Sequence, residues 1–331
     1  MPNRKYQECM NALKVFAILL VFNSHCDGLY PASVSWMATG GAVGNALFFI
    51  ISGYLVSFRA REQKGIKWIG QKLLRLYPVT LIVAILRCVL FAEYPSSVMD
   101  FVFSFLWPTS FWFVGALLLF YVLFCFLEKP IRSAFPLFSV ILWAVYFLYY
   151  IFLVDQSVWS VEAAGLTSVA GCFKLIYYFY IFCLGYYLKC RPASGRQTGF
   201  GLLAIGSFLF SFVFKFLLQK NIVPMQTQFL SQIIGVVFAY SALRFCLAAE
   251  EGYRARVPQK LRALLNRYSA CSLEMFLLQF SVIELFAQLV FPINIILAFV
   301  STTVLALLYH RFVSEKLAAL VRKASRPLAQ K

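Results

Sequence analysis

The sequence predicts an all-α polytopic membrane protein with about ten transmembrane helices and cytoplasmic N- and C-termini. Three observations lead to this prediction: the apolar composition, the spacing of the apolar stretches and the distribution of cations between them. Of the 331 residues, 62% are hydrophobic and 13% are charged, whereas a soluble protein is about half apolar and about a quarter charged. Much of the surface must therefore face lipid, and we expect one transmembrane domain over residues 1–331.

The spans follow from the length of helix that a bilayer requires, which is about 20 mostly apolar residues. The stretches that meet this requirement are 9–26, 36–58, 74–93, 110–128, 135–154, 173–190, 199–218, 226–248, 269–290 and 292–313.

The charges between the spans predict the orientation. The N-terminus and every second loop are rich in Lys and Arg, and residues 59–75 and 254–267 form the largest clusters. The intervening loops are almost bare of cations. Because cytoplasmic loops carry the excess of Lys and Arg, both termini should lie in the cytoplasm. The net charge of +17 is thereby explained by topology, and no nucleic-acid partner is expected.

The first span, "LKVFAILLVFNSH", carries Lys14 and His25. Ten residues lie between them, and eleven helical steps separate their Cα atoms by about 16 Å along the axis and by about 20° beyond whole turns, which places the two side chains on one face. A lysine suits an anionic group such as a phosphate, and an imidazole suits general base catalysis. An interfacial histidine beside a lysine that reaches the membrane surface is the alternative explanation.

The other ionisable residues within predicted spans include Arg87, Lys215, Glu274 and Glu284. Such groups are costly in lipid, and each raises a functional hypothesis. The two cations can also reach an interface or pair with an acid, and the two glutamates can neutralise a cation of another span. The second histidine, His310, lies at the cytoplasmic end of the last span, where we expect a surface role.

Several segments, taken in order, resemble the acyltransferase-3 family of integral membrane acyltransferases. The first-span segment is similar to a signature of the family, in which an arginine is followed, after ten intervening residues, by a histidine. "GNALFFIISGYLVSF", "KLLRLYPV", "FWFVGALLLFYVLF", "SLEMFLLQFSV" and "YHRFVSEKL" resemble its later segments. The departures are Lys14 for the family's arginine, Ala46 for an acid, Gln279 for a histidine, and the absence of a glutamate from the fourth-helix segment. The lysine keeps the positive charge, but it lacks the planar guanidinium with which an arginine can bind an anion through two hydrogen bonds.

The resemblance implies an O-acetyltransferase that moves acetyl from cytoplasmic acetyl-CoA, or another acyl-CoA, to a hydroxyl of a cell-envelope or surface polysaccharide, or of a lipid-linked glycan. It also implies a multi-pass protein of a bacterial cytoplasmic membrane, without a metal. His25 would be the catalytic base. Lys14, Lys72 and Arg75 would bind the donor, and Ser52, Gly53, Trp112 and Tyr121 would bind the substrate. A transient acyl-imidazole at the histidine is a second route that the sequence leaves open.

Most of these residues can also be explained without a role in catalysis or binding. The loop cations can serve topology alone, Gly53 can serve close helix packing, and Trp112 and Tyr121 can anchor span ends. The alternative function is a transporter or flippase of a glycan or lipid-linked intermediate, which would carry no chemistry. Against it, the sequence shows no inverted repeat. A relative that only binds a partner or lipid is a third hypothesis.

Overall fold

The computed structural model describes residues 8–56, 66–106, 111–160, 168–191 and 197–325. These residues contain α-helices and short 3₁₀ and π segments, and no strand occurs among them. Besides the single turn Val98–Phe101, the α-helices are α1 (Glu8–His25), α2 (Gly41–Leu55), α3 (Ile66–Phe91), α4 (Trp112–Ser133), α5 (Phe135–Leu153), α6 (Val169–Cys190), α7 (Gln197–Gln219), α8 (Phe229–Arg256), α9 (Gln259–Ala270), α10 (Ser272–Leu285), α11 (Ile293–Tyr309) and α12 (Glu315–Ser325). The prediction of an all-α polytopic membrane protein is confirmed.

Within the described residues, 8 helical segments are long and apolar enough to cross a bilayer. They are Ser35–Leu55, Trp68–Leu90, Trp112–Ser133, Phe135–Leu153, Gly171–Cys190, Gln197–Gln219, Met225–Arg256 and Ile293–Leu320. These segments correspond to predicted spans two to eight and ten. The count of eight is lower than the predicted ten, and the difference lies in predicted spans one and nine.

Both of those predicted segments are helical, but each differs from a full apolar span. The first is α1, which has 18 residues and includes Asn11, Lys14 and Asn23 among its apolar residues. The ninth is α10, which has only 14 residues and is therefore about 21 Å long. A hydrocarbon core is about 30 Å thick. In the structure, the chain turns after Leu285, so the helix ends before the predicted span 269–290 does.

The chain forms two compact units. The first unit comprises Met1–Ser24, Trp36–Val56 and Leu127–Ser269. The second comprises His25–Ser35, Ser57–Phe126 and Ala270–Lys331. Each unit is therefore assembled from segments that are distant in the sequence, and three of the boundaries fall inside helices, namely α1, α4 and α9.

In the first unit, α2 packs against α6 and α8, and α7 packs against α8. Glycines permit the closest approach. A Cβ on Gly53 would lie 1.8 Å from the carbonyl oxygen of Phe182, and one on Gly185 would lie 2.0 Å from that of Ile50. Because only glycine leaves room for this backbone contact, the interpretation of Gly53 as a packing residue has a direct structural basis.

The first turn of α1 is held by side chains of the same unit. The Glu250 carboxylate accepts hydrogen bonds from the backbone N–H groups of Glu8 (3.0 Å) and Cys9 (2.9 Å). Arg262 of α9 pairs with Glu8 at 2.5 Å. Two of the four orphan N–H donors of this helix N-terminus are thereby satisfied by a negative charge, which the helix dipole also favours.

The second unit contains α3, the first part of α4, and α10 to α12. α10 packs against α11 and α3. The Tyr309 hydroxyl donates to the carbonyl oxygen of Val79 at 3.0 Å, which joins α11 to α3. Asn294 donates to the carbonyl oxygen of Leu29 at 2.8 Å, so the segment that follows His25 is fixed to the start of α11.

Candidate functional site

His25 is the last residue of α1, and its half-buried imidazole lies against the ring of Phe280 on α10. The ring centroids are 4.3 Å apart and the planes are inclined by 56°. Within the part of the chain that the structure describes, neither ring nitrogen has a hydrogen-bond partner. A base must have a nitrogen that can accept a proton from substrate, and this arrangement holds the ring by packing alone.

A row of aromatic rings connects His25 with the predicted substrate residue Trp112. Phe280 is 6.3 Å from Phe276, and Phe276 is 5.1 Å from Phe113 of α4. Phe113 is followed at 6.2 Å by the half-buried Trp112. All these residues belong to the second unit. The two predicted site residues are therefore not in contact, but they lie at the ends of one continuous aromatic row.

Lys72 and Tyr121, both predicted for the site, are in contact. The Lys72 ammonium lies 5.0 Å from the ring centroid of Tyr121 and 5.4 Å from that of Trp68. Trp68 meets Tyr121 edge-on at 5.4 Å and is only 3% exposed. Aromatic faces attract a cation without neutralising its charge. The pair of rings therefore helps to fix the position of this positive charge, and the role of Lys72 in ligand binding stays a prediction.

The remaining predicted residues are placed as follows. Lys14 is half-buried on α1 and belongs to the first unit, whereas His25, on the same helix, belongs to the second. Ser52 and Gly53 are in the first unit on α2, where Ser52 is half-buried. Arg75 has its backbone in α3, and its side chain lies outside the described part of the chain. The roles of all these residues stay predictions.

Arg87 forms an ion pair with Glu93, beyond the end of α3. The same carboxylate accepts a hydrogen bond of 3.2 Å from the hydroxyl of Ser281, the residue after Phe280. The guanidinium also lies 5.6 Å from the ring of Phe111. Of the two explanations for this cation in a predicted span, pairing with an acid is the one that the structure shows. The network fixes α10 where it presents Phe280 to His25.

The prediction of a surface role for His310 is wrong in its essential point, because its ring is engaged with a buried acid. His310 Nδ1 lies 2.8 Å from Glu274 Oε1. The Glu274 side chain is 3% exposed, and that of His310 is 27% exposed. Burial of the carboxylate requires a partner, and the imidazole supplies it. For Glu274, the partner from another predicted span is therefore an imidazole, which carries a positive charge only when it is protonated.

Gln279 is the residue that the resemblance matches to the family's late histidine. It is 2% exposed, and its Nε2 has no hydrogen-bond partner among the residues that the structure describes. An amide there is a donor and an acceptor without a titratable proton. The sequence therefore leaves His25 as the histidine of the family signature that this chain retains.

Trp68 and Phe280 are the site residues that the sequence reasoning missed. Trp68 precedes Lys72 by one helical turn, and this i, i+4 spacing was available in the sequence as a signal. Phe280 lies inside the quoted segment "SLEMFLLQFSV", but helical spacing alone does not say which of its apolar residues faces a histidine of another helix.

The comparison with protein families gives one match: the acyltransferase-3 profile, described as "Acyltransferase domain", matches residues 7–311. No curated protein and no solved structure matches the chain significantly. Within the described residues, no group of three or more His, Cys, Asp and Glu side chains is arranged to hold a metal ion. Since the match covers nearly the whole chain, including both segments that meet at His25 and Phe280, this chain belongs to the acyltransferase-3 family and is a membrane acyltransferase.

Proposed function

We propose that this protein is an O-acetyltransferase that moves acetyl from cytoplasmic acetyl-CoA to a hydroxyl of a cell-envelope or surface polysaccharide, with His25 as the general base. The observation that carries the proposal is the state of His25: a half-buried imidazole, packed on Phe280, whose nitrogens are not engaged by the described residues. The family supplies the reaction class. A bacterial cytoplasmic membrane, with both chain termini inside, is the proposed location.

In the proposed reaction, a ring nitrogen of His25 accepts the proton of the acceptor hydroxyl as its oxygen attacks the thioester carbonyl carbon. The C–O bond forms, the C–S bond breaks, and the acetyl group moves to the acceptor as an ester. The CoA thiolate leaves and receives the proton from the imidazolium, which restores the neutral base. The enzyme is thereby returned to its initial state at the end of the cycle.

The donor has phosphate groups, and the cations near the cytoplasmic re-entry of α3 suit them. Lys72 is the best-defined of these cations, because its ammonium lies over the rings of Trp68 and Tyr121. We propose that Lys72 and Arg75 contact phosphate oxygens of acetyl-CoA and that Lys14 supports the donor farther along α1. Charge-assisted hydrogen bonds to phosphate provide the affinity. Trp112 and Tyr121, with Ser52 and Gly53, are proposed for substrate binding.

The test is acetyl transfer from radiolabelled acetyl-CoA in membranes that contain matched amounts of protein. Wild type is compared with His25→Gln, and Ser24→Ala is the matched control because the Ser24 hydroxyl donates to Val21 within its own helix at 2.8 Å. Both glycan labelling and acetate release are counted. Wild type and Ser24→Ala should show turnover, and His25→Gln should not. Equal turnover in all three would overturn the role of His25.

The same experiment separates the competing functions. A transporter or flippase, or a relative that only binds a partner, would show no acetyl turnover that depends on His25. Quenching the reaction with acid distinguishes a transient acyl-imidazole from direct transfer. Radiolabel that stays on the wild-type protein and is absent from His25→Gln supports the covalent route. Transfer without labelled protein supports direct attack by the acceptor.

A further inference from the structure

The helix α9, which connects α8 to α10, has no part in the proposed chemistry. Its 12 residues form a helix about 18 Å long, which is too short to cross a hydrocarbon core of about 30 Å. Residues 252–271 contain no acidic residue and five cations: Arg254, Arg256, Lys260, Arg262 and Arg267. The loop charges predict that this segment lies on the cytoplasmic side. We therefore expect α9 to lie beside the bilayer core and not across it.

One face of α9 is fixed to the first part of α1. Arg262 forms an ion pair with Glu8. The Asn11 side chain donates to Asn266 Oδ1 at 2.9 Å, and the Ser269 hydroxyl donates to Asn11 Oδ1 at 3.1 Å. Arg262, Asn266 and Ser269 have the i, i+4, i+7 spacing of a single helix face. We call these three residues the inner face of α9.

The opposite face of α9 is exposed and repeats the same spacing two residues earlier. Lys260, Leu264 and Arg267 are each displaced from the inner face by two helical steps, or about 200°, so this face is directed away from α1. All three side chains are exposed, Leu264 to 61%. Leu261, at the edge of the same face, is 46% exposed. These four residues are the outer face of α9, in which two leucines lie between two cations along the helix.

The cations of this segment are divided between two surroundings. Arg262 pairs with Glu8, and Arg254 pairs with Glu250 at 2.6 Å, so both contact acids of the first unit. The two cations of the outer face are exposed beside exposed leucines. Cations that serve topology alone need no particular arrangement on a helix. The division therefore indicates that the outer face suits a surface that is both anionic and apolar.

An anionic membrane surface has both of these properties. Amphipathic helices lie in the plane of such a surface, with leucines at the boundary of the acyl chains and with Lys and Arg among the headgroups. The negative potential of the cytoplasmic leaflet attracts each cation close to it. Only Val257 and Pro258 separate α9 from α8, and α8 lies within a segment long and apolar enough to cross the bilayer. This short connection keeps α9 close to the end of that segment.

We propose that the outer face of α9 binds anionic phospholipid at the membrane surface. Leu261 and Leu264 enter the upper acyl region, and Lys260 and Arg267 contact lipid phosphates. The inner face keeps α9 attached to α1, so lipid that binds to the outer face stabilises the folded first unit. This inference goes beyond the proposed function and does not depend on acetyl transfer.

The binding test uses the full chain in nanodiscs of dioleoylphosphatidylcholine that contain increasing fractions of dioleoylphosphatidylglycerol. The readout is the thermal unfolding midpoint, because a ligand that binds only the folded state raises it. The midpoint of wild type should rise with the fraction of phosphatidylglycerol. The rise should shrink at high salt, which screens charges near water. A midpoint that does not respond to phosphatidylglycerol overturns the proposal.

Matched variants locate the effect on the outer face. Lys260→Gln should lower the apparent affinity for phosphatidylglycerol by about fivefold, the loss expected for one cation near an anionic leaflet. Leu264→Gln should also lower it, whereas Leu264→Met, which keeps an apolar side chain, should retain it. Lys220→Gln, at an exposed cation on the predicted exterior side, should respond as wild type does. A wild-type response in the double variant Lys260→Gln/Leu264→Gln would contradict the proposal, because the lipid would then act at another segment.

A soluble probe distinguishes a membrane from an acidic protein partner. Polyglutamate, added to nanodiscs of dioleoylphosphatidylcholine alone, offers negative charge without an apolar layer. It should raise the midpoint much less than phosphatidylglycerol does, because the two leucines gain no apolar contact from it. Stabilisation by polyglutamate that equals that by phosphatidylglycerol and persists in Leu264→Gln would overturn the lipid assignment in favour of an acidic polypeptide. Since the readout is stability, either result stands whether or not His25 is the base.

Discussion

The two histidines of this chain occur in two regions of the second unit and are used differently. His25 ends α1 and meets only the apolar ring of Phe280 among the described contacts at its ring. His310, just after α11, is engaged at Nδ1 by the buried carboxylate of Glu274. An imidazole that neutralises a buried acid has its proton committed to structure. The comparison teaches that packing without hydrogen bonds, and not burial or position in a helix, distinguishes the candidate base.

The largest effect that tests this comparison is at His25. His25→Gln should reduce acetyl turnover by about 10²- to 10⁴-fold, which is the contribution typical of a general base, and should leave the thermal midpoint close to that of wild type. Turnover is measured in matched membranes and stability in detergent. A His310→Leu variant that loses as much turnover per folded molecule would remove the distinction between the two histidines.

Gly53 allows a second comparison, between a role in the site and a role in packing. The family motif suggests the first role, and the structure shows the residue in a contact between helices. Gly53→Ala should destabilise the protein by about 3 kcal/mol or more, because the added Cβ would lie 1.8 Å from the carbonyl oxygen of Phe182 and overpacking against backbone is costly. Thermal unfolding in detergent measures it. Gly206→Ala is the matched control, since a Cβ there meets nothing within 4 Å. Equal midpoints for the two variants would refute the packing role.

The pair of Glu274 and His310 gives a smaller effect, and we expect it on stability, whereas the effect at His25 is expected on turnover. His310→Leu should lower the free energy of unfolding by about 2 kcal/mol, because it leaves a buried carboxylate unpaired. Adding Glu274→Gln should recover part of the loss, since a neutral amide costs less to bury than a charge. Thermal midpoints of the two variants measure both steps. A double variant less stable than His310→Leu would show that the pair is not the source of the cost.

The smallest expected effect concerns the rings that hold Lys72. Trp68→Leu should raise the KM for acetyl-CoA by about threefold with kcat nearly unchanged, as befits the loss of a contact worth about 0.5–1 kcal/mol. Trp36→Leu, at a tryptophan that is 58% exposed, is the control. An effect on kcat alone would place Trp68 nearer the reacting atoms and would weaken the assignment of Lys72 to donor binding.

The sequence predicted the helical architecture well because apolar length and loop charge are local properties. It placed α1 within one residue of its observed bounds at either end. It overestimated the ninth span, since apolar composition continues past Leu285 although the helix ends there. The charge pattern predicts an orientation and the motifs indicate the family, but neither identifies the partner of a side chain on a distant helix.

The sequence by itself determined the class of protein, the family and the identity of His25 as the retained histidine of the signature. Only the tertiary structure decided what surrounds each polar group: Phe280 beside His25, Glu274 beside His310, and Trp68 beside Lys72. The physical reason is that lipid compatibility and helix formation depend on residues close in the chain. The pairing of a charge or an imidazole depends on helices that are distant in sequence, and only their packing brings these residues together.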